Sequence, residues 1–490
     1  MYMPTLSEAK AIAEKGEYKT IPVSCEMYSD ICTPIEVLKK LRKISGNCFI
    51  LESSQEAQHP GRYTFLGFQP ILELSCLNGR LTIRAQRTNE FEAVNPDDCI
   101  KKVMKENKSP KFDYLPPFTG GLVGYFAYDY IKYGEPSLHL QAKDDENFKD
   151  MDLMLFDKVI AFDNFRHKII LIVNAEAADI EESYPKAVQA LEFLKRIIKE
   201  GESIREEKLI LKAPVTALFS KEKYCRMVET AKEYIRQGDI FQVVLSNRFE
   251  APVEGSLLDL YRVIRTINPS PYMFFFSSNN IEIAGASPET LVKVENNKVS
   301  TFPLAGTRLR GKTKEEDLEL EKELLADEKE LAEHNMLVDL GRNDVGKVSR
   351  FGTVKVGRYL EIQRFSHVMH IGSTVEGLLK EDKDAVDAVN AILPAGTLSG
   401  APKFRACEII NELEDNKRGI YGGAIGYLSL NGELDTCIAI RLAFKKNGKV
   451  FIRSGAGIVA DSVPEREYEE CLNKAKVVLN ALELSKGGLE

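Results

Sequence analysis

Short apolar runs rich in β-branched residues punctuate the first third of the chain: NCFILES, RYTFLGF, ILELSCL, RLTIRA, LMLFDKVIAFD and HKIILIVNA. Runs of this length, some bounded by turn residues such as Asn78-Gly79, predict strands. At about 183–200, YPKAVQALEFLKRIIKE gathers its apolar residues on one helical face. The next stretch, GESIREEKLILKAPVTALFS, is polar and then proline-bearing, and reads as a connection. SKEKYCRMVETAKEYIRQGD predicts a helix with Ser220 at its N-cap and Gly238 near its end. FQVVLSNRFE follows as a strand, a long charged helix covers roughly 314–340, and another covers roughly 464–485. Between them AIGYLSLNGELDTCIAIRLAF and KVFIRSGAGIVADS read as strand pairs. No fixed-period repeat stands out. Hairpin-like pairs beside separate helices predict an α+β chain, a layered α/β sandwich around largely antiparallel sheets rather than a doubly wound parallel sheet. The connection divides it into 1–205 and 215–488.

Composition narrows the class. With 490 residues, 44% hydrophobic and 29% charged, the chain can bury a large core without staples. A net charge of −8 argues against general affinity for nucleic acid or an anionic membrane, though a local basic pocket can still attract an anionic substrate. No apolar run is long enough to span a bilayer, and MYMPTLSEAKAIAEKGEYKT reads as a short polar helix rather than a secretory signal. Nine scattered cysteines without zinc spacing fit reduced thiols, so a cytoplasmic location is expected.

Several residues carry candidate chemistry. Glu330 and Glu333 lie three apart on one helical face, and Glu467 and Glu470 repeat the spacing on the last helix, with Lys474 four beyond Glu470. Two such helices facing each other would offer oxygen ligands to a hard cation such as Mg2+, although glutamates at this spacing also make ordinary solvated surfaces. Gly455-Ala456-Gly457 between apolar stretches suggests a bulge or a close approach, either by a ligand carboxylate or by a packed strand. Arg441 ends the apolar run CIAI, where its fork would take a substrate carboxylate or an internal salt bridge. His370, three after His367, is either a hydrogen-bonded core residue or a proton carrier.

Taken together, PLAGTRLRG (303–311), DEKELAEHNMLVDLGRND (327–344), GTLSGAPK (396–403), YGGAIGY (421–427), LDTCIAIR (434–441) and SGAGIVADS (454–462) resemble the chorismate-utilising enzymes. ILESS (50–54), RYTFLGF (62–68) and GGLVGYFAYDY (120–130) look like the anthranilate synthase branch. The resemblance implies the chorismate-utilising fold and a Mg2+-dependent conversion of chorismate and ammonia to anthranilate and pyruvate. It implies Glu333 and Glu470 as direct metal ligands, with Glu330 and Glu467 acting through water. It implies chorismate contacts at Gly306, Thr307, Tyr421, Arg441, Gly455, Ala456, Gly457 and Lys474. Glu289 matches the acid that protonates the departing hydroxyl, His370 the histidine of pyruvate loss, and Thr397 a pocket-closing segment. Two positions separate this branch from its relatives. Isochorismate and salicylate synthases use a lysine where Gln242 stands, and aminodeoxychorismate synthases carry a nucleophilic lysine where Ala305 stands. The resemblance further implies a separate glutaminase subunit, in a heterotetramer, and a tryptophan inhibitor site at Glu52, Ser53, Pro271, Tyr272 and Met273 within 1–205 and the segment it meets. A catalytically dead sensor is the competing expectation; loss of Glu289, His370, Glu333 or Glu470 would have marked it, and all four are present.

Overall fold

The computed structural model describes residues 1–56, 59–93, 95–365 and 368–489. His367 lies outside the described residues.

Two large sheets dominate, and every strand pairing within them is antiparallel among the described residues. The first runs from the strand Thr20–Tyr28 through Lys168–Glu176, Lys158–Asp163, Tyr63–Phe68 and Cys48–Glu52. It continues through Tyr272–Ser278, Ile281–Ser287, Leu442–Lys446 and Lys449–Ile458 to Gln242–Glu254. The second starts at Leu304–Leu309 and passes through Val368–Leu378, Lys298–Thr301, Thr290–Glu295, Leu434–Ile438 and Ala424–Ser429. Gly121–Phe126, Met151–Phe156, Leu72–Leu77, Arg80–Arg84 and Thr88–Glu92 complete it. Strands from 1–205 and from 215–488 therefore share both sheets. They join where Cys48–Glu52 meets Tyr272–Ser278 and where Gly121–Phe126 meets Ala424–Ser429.

Alternation along the strands explains the layering. In Tyr272–Ser278, Phe274 and Phe276 enter the core between the sheets with Phe49, Phe118, Phe156 and Phe451. Phe275 points the other way, into a second core under the helices Pro34–Ile44, Ile180–Glu200 and Leu258–Ile267. Removing any one of these rings would cost about 3–5 kcal/mol. A third core covers the outer face of the second sheet with the helices Glu328–Val348 and Ala385–Ile392. The result is a four-layer sandwich, helix–sheet–sheet–helix, which gives the expected layered α/β sandwich its order.

Local departures have visible causes. The predicted helix over 314–340 is two helices, Lys314–Ala326 and Glu328–Val348. Asp327 stands between them in an extended conformation, and its Oδ1 accepts from the N–H groups of Lys329 and Glu330 at 3.1 and 3.2 Å, which starts the second helix. LMLFDKVIAFD is likewise two strands, one in each sheet, divided at Asp157. The helices Lys221–Arg236, capped by Ser220, and Pro464–Ser485 fall where the pattern placed them. Among the described residues no helix is long and apolar enough to cross a membrane.

Candidate active site

The site lies where the second sheet, the helix Glu328–Val348, the last helix and the strand Lys449–Ile458 converge. Glu289 sits just beyond the strand Ile281–Ser287; its N–H donates to Ser287 Oγ at 3.4 Å and its carbonyl accepts from Ile438 N–H at 2.9 Å. Its buried carboxylate accepts one side-chain bond, from Thr397 Oγ1 at 3.1 Å. Burial pushes this carboxyl up to about 8, against the opposing pull of the Thr397 bond and the Lys474 charge, so it keeps its proton at neutral pH. Leu337, Leu340, Gly341 and Gly396 wall the small adjoining cavity of about 30 Å3, room for about one water. Any side chain at Gly396 would run into Leu340, 2.3 Å from where its Cβ would stand. A larger groove of about 1030 Å3, lined by residues such as Arg80, Ser277 and Lys446, contains none of the candidate residues.

His370 presents the opposite protonation behaviour. Its Nδ1 lies 2.8 Å from the carbonyl oxygen of Gly306 and 3.2 Å from Thr307 Oγ1. A carbonyl only accepts, so Nδ1 carries the proton and Nε2 keeps its lone pair. Burial holds the imidazole below its usual pKa; the Gly306 bond opposes this, and the charges of Arg441 and Lys474 reinforce it. The Gly306–Thr307 pair reaches His370 because the ladder between Leu304–Leu309 and Val368–Leu378 shifts register between Ala305 and Arg308. Gly306 takes φ 67° there, a conformation that favours glycine.

Arg441 does not sit inside a continuous strand. It occupies the break between Leu434–Ile438 and Leu442–Lys446, at φ 54°. Among the described residues its guanidinium makes no ion pair or hydrogen bond, which removes the internal salt bridge as its explanation. Burial lowers its pKa, with the Tyr421 phenol the opposing influence. Such a cation is primed for an anionic partner. Tyr421 is buried nearby, and its phenol is pushed up chiefly by burial.

The glycine run is a close approach and not a bulge, since the pairing Val244↔Gly457, Leu245↔Ala456, Ser246↔Gly455 is continuous. A Cβ on Gly455 would stand 2.5 Å from the Leu245 carbonyl oxygen and 3.1 Å from the Tyr421 hydroxyl; one on Gly457 would stand 2.7 Å from Gln242 Nε2. Ala456 packs with Tyr224 and Ala406 on the opposite, helical side, leaving its backbone alone available to the site.

The four glutamates lie on the two expected helices but do not converge. Gln242 Nε2 donates to Glu333 Oε1 at 3.4 Å, Arg308 pairs with Glu330 at 3.4 Å, and Lys474 pairs with Glu470 at 2.7 Å. Burial and then the neighbouring Glu330 raise the Glu333 carboxyl; burial, with Glu470 adding, raises that of Glu467. Among the described residues no three acidic, histidine or cysteine side chains are arranged to hold a metal ion. The donors themselves are all carboxylates, the ligand type that suits a hard divalent cation, although Arg308 and Lys474 now neutralise Glu330 and Glu470.

The residues of the expected inhibitor site are adjacent: Met273 lies opposite Glu52 in the ladder, and Ser54 N–H donates to the Ser270 carbonyl at 3.2 Å. The Ser53 carbonyl accepts from Gly61 N–H at 2.6 Å, and Pro271 leads into the strand Tyr272–Ser278. Glu52 is already gripped by Arg265, at 2.8 Å to each carboxylate oxygen, and by the Tyr261 hydroxyl. The Tyr272 hydroxyl donates to Asp435 Oδ1 at 2.7 Å and accepts from the Thr290 hydroxyl at 2.8 Å. Sequence reasoning missed Tyr261, Arg265, Asp435 and Arg308, whose partners are distant in the chain; nothing in local spacing marks them.

Comparison with known proteins places the chain in a family. The profile of the chorismate binding enzyme family matches residues 2–480. Anthranilate synthase component 1 of Acetivibrio thermocellus is 48% identical, with 99% of each chain covered. The protein of that name from Aquifex aeolicus is 43% identical, again over 99% of each. The crystal structure of anthranilate synthase component I from Streptococcus pneumoniae TIGR4 superposes with a TM-score of 0.74 at 38% identity, covering 92% of this chain and 98% of that one. The menaquinone-specific isochorismate synthase of Escherichia coli shares the fold, with a TM-score of 0.71 at 19% identity over 97% of this chain and 99% of its own. The chain thus belongs to the chorismate binding enzyme family and, within it, groups with the anthranilate synthase component 1 proteins.

Proposed function

We propose that this chain is the synthase subunit of an anthranilate synthase, converting chorismate and ammonia into anthranilate, pyruvate and water as the first committed step of tryptophan biosynthesis. The observation that carries the reading is the Glu289–Thr397 pair, a carboxyl that burial keeps protonated up to about 8, in a site that also holds the buried guanidinium of Arg441.

Chorismate is a dianion. Arg441, with the backbone N–H groups of Gly455 to Gly457 and the Tyr421 hydroxyl, takes one carboxylate. Glu333 and Glu470 would hold Mg2+, with Glu330 and Glu467 in support, and Lys474 adds a positive charge to the substrate's surroundings. When bound, Mg2+ supplies a clamp on the ring carboxylate and withdraws electron density from the ring. Ammonia adds at C2, the ring double bonds shift, and the C4–O bond breaks. Glu289 gives its proton to that oxygen, so that water leaves instead of hydroxide, while Thr397 holds the carboxyl in place. His370 then takes the C2 proton at Nε2, its lone pair kept free by the Gly306 carbonyl. The C3–O bond breaks, the ring becomes aromatic, and the side chain departs as enolpyruvate, which becomes pyruvate on protonation.

Two residues favour this outcome over those of relatives. Gln242 supplies no base to activate water, and Ala305 no nucleophile for a covalent intermediate. A separate glutaminase subunit, implied by the name component 1 of the relatives, delivers the ammonia in a heterotetramer, and free ammonia substitutes for it. Tryptophan binds between Glu52-Ser53 and Pro271-Tyr272-Met273 as feedback inhibitor, and the protein works in the cytoplasm.

The test is direct. The purified chain is incubated with chorismate, Mg2+ and an ammonium salt while anthranilate fluorescence and pyruvate are followed. Anthranilate that disappears on chelation supports the reading; chorismate consumed without anthranilate overturns it in favour of another chorismate product.

A further inference from the structure

The most deeply buried charges near the site do not face it. Arg418, Glu414 and Arg453 have side chains only 1%, 1% and 2% exposed, and their carboxylate and guanidiniums form one network. Arg418 meets Glu414 at 3.0 Å through Nε and 2.6 Å through Nη2, and Arg453 Nη2 lies 3.4 Å from Glu414 Oε2. Two cations against one anion leave a net buried charge of one. Folding alone does not call for such a group, because apolar residues commonly replace buried ion networks without loss of stability.

What else Arg418 touches gives it a purpose. Nη1 donates to the Leu398 carbonyl at 2.7 Å, and Leu398 follows Thr397. Nη2 donates to the Val244 carbonyl at 2.7 Å, and Val244 pairs with Gly457. The guanidinium carbon lies 5.8 Å from the centre of the Tyr421 ring. Thr397, Tyr421 and the glycine run are brought to the substrate by three separate segments, and one rigid group bridges all of them.

We propose that Arg418 is a positioning residue for the reaction: its planar fork sets the Thr397 segment, the Tyr421 ring and the strand opposite Gly457 in their working relationship. This rests on the chorismate reading and deepens it. Arginine is needed because lysine gathers its donors on one nitrogen and cannot span two carbonyls and a carboxylate in a fixed plane. Misplacement of the Thr397–Glu289 pair by a fraction of an ångström weakens proton delivery, so the effect falls on turnover.

The variant Arg418→Lys keeps the charge and loses the fork. Expected in the folded variant is a fall in kcat of at least about tenfold, larger than the rise in KM for chorismate. In a Thr397→Val background the same change costs only about twofold, because the group it positions is gone. If Arg418→Lys does not fold, Arg418→Met with Glu414→Gln deletes the fork while keeping the net buried charge at one through Arg453, and the same loss of turnover is expected. Wild-type protein that makes anthranilate while folded Arg418 variants turn over as fast overturns this inference alone. So do losses at Arg418 and Thr397 that simply multiply. Wild-type protein that makes none overturns the chorismate reading and this inference with it.

Discussion

Tyr272 carries its phenol oxygen to within 2.8 Å of Thr290 Oγ1, and Thr290 is the residue next to Glu289. The proposed inhibitor segment is thus two hydrogen-bonding groups away from the proposed general acid. Replacing Tyr272 with Phe keeps the ring and removes the link. Tryptophan is expected still to bind, which its own fluorescence reports because the chain contains no Trp. Inhibition is expected to need about five times more tryptophan than binding does, the worth of about one hydrogen bond. Binding and inhibition that weaken together would show that Tyr272 serves contact and not communication.

Glu289 sets the alkaline limit of turnover. Its carboxyl is raised to about 8, so the proton-donating form prevails below that pH and is lost as pH rises through it. In a pH–rate profile, kcat is expected to be level around neutrality and to fall above about 8. Thr397→Val removes a bond that lowers this pKa, so the falling limb moves to higher pH as kcat drops. Glu289→Gln cannot donate, and turnover is expected to fall at least about a hundredfold.

His370→Ala removes the base of the second half-reaction without touching the first. Rapid-quench analysis is expected to reveal an aminated, pyruvate-bearing intermediate that builds up in the variant, with anthranilate formation slowed about a hundredfold or more. Anthranilate formed at the normal rate would exclude Nε2 as the base.

Arg441 has no acidic partner among the described residues, so its removal relieves a desolvated charge. Arg441→Met is expected to leave the Tm of the ligand-free protein unchanged or higher while chorismate affinity falls at least about tenfold, consistent with loss of a charge-assisted bond. Calorimetry on the free protein and titration with chorismate measure the two effects. A marked drop in Tm would mean that the guanidinium has an internal structural role.

Glu470→Gln takes one carboxylate from the proposed metal set and frees Lys474, its partner at 2.7 Å. Turnover is expected to collapse at ordinary Mg2+ and to recover in part as Mg2+ is raised. Activity that follows the wild-type Mg2+ curve would remove Glu470 from the metal site.

Periodicity exposed most of the elements, because a strand such as Tyr272–Ser278 or a helix such as Pro464–Ser485 buries one face and advertises it. The break at Asp327 escaped because the charged pattern runs through it unaltered, and the passage from one sheet to the other at Asp157 escaped because both halves are equally apolar. In the site, the helical spacing placed Glu330, Glu333, Glu467 and Glu470 on the right helices, but spacing along one helix says nothing about distance to the next. The His370–Gly306 bond depends on a register shift that no local signal announces. Arg418, Tyr261 and Arg265 were silent for a similar reason: their meaning resides in carbonyls and carboxylates contributed by remote segments.

The interleaving of early and late strands has a consequence for how the molecule comes into being. Gly121–Phe126 has its place between Met151–Phe156 and Ala424–Ser429, so that position in the sheet stays half-built until nearly the whole chain has left the ribosome. Such distant pairings fold slowly and expose strand edges to neighbouring chains meanwhile. Genetic fragments cut between the two halves would therefore be orphans, each holding partial sheets with sticky margins, and co-expression would be required for either to become soluble.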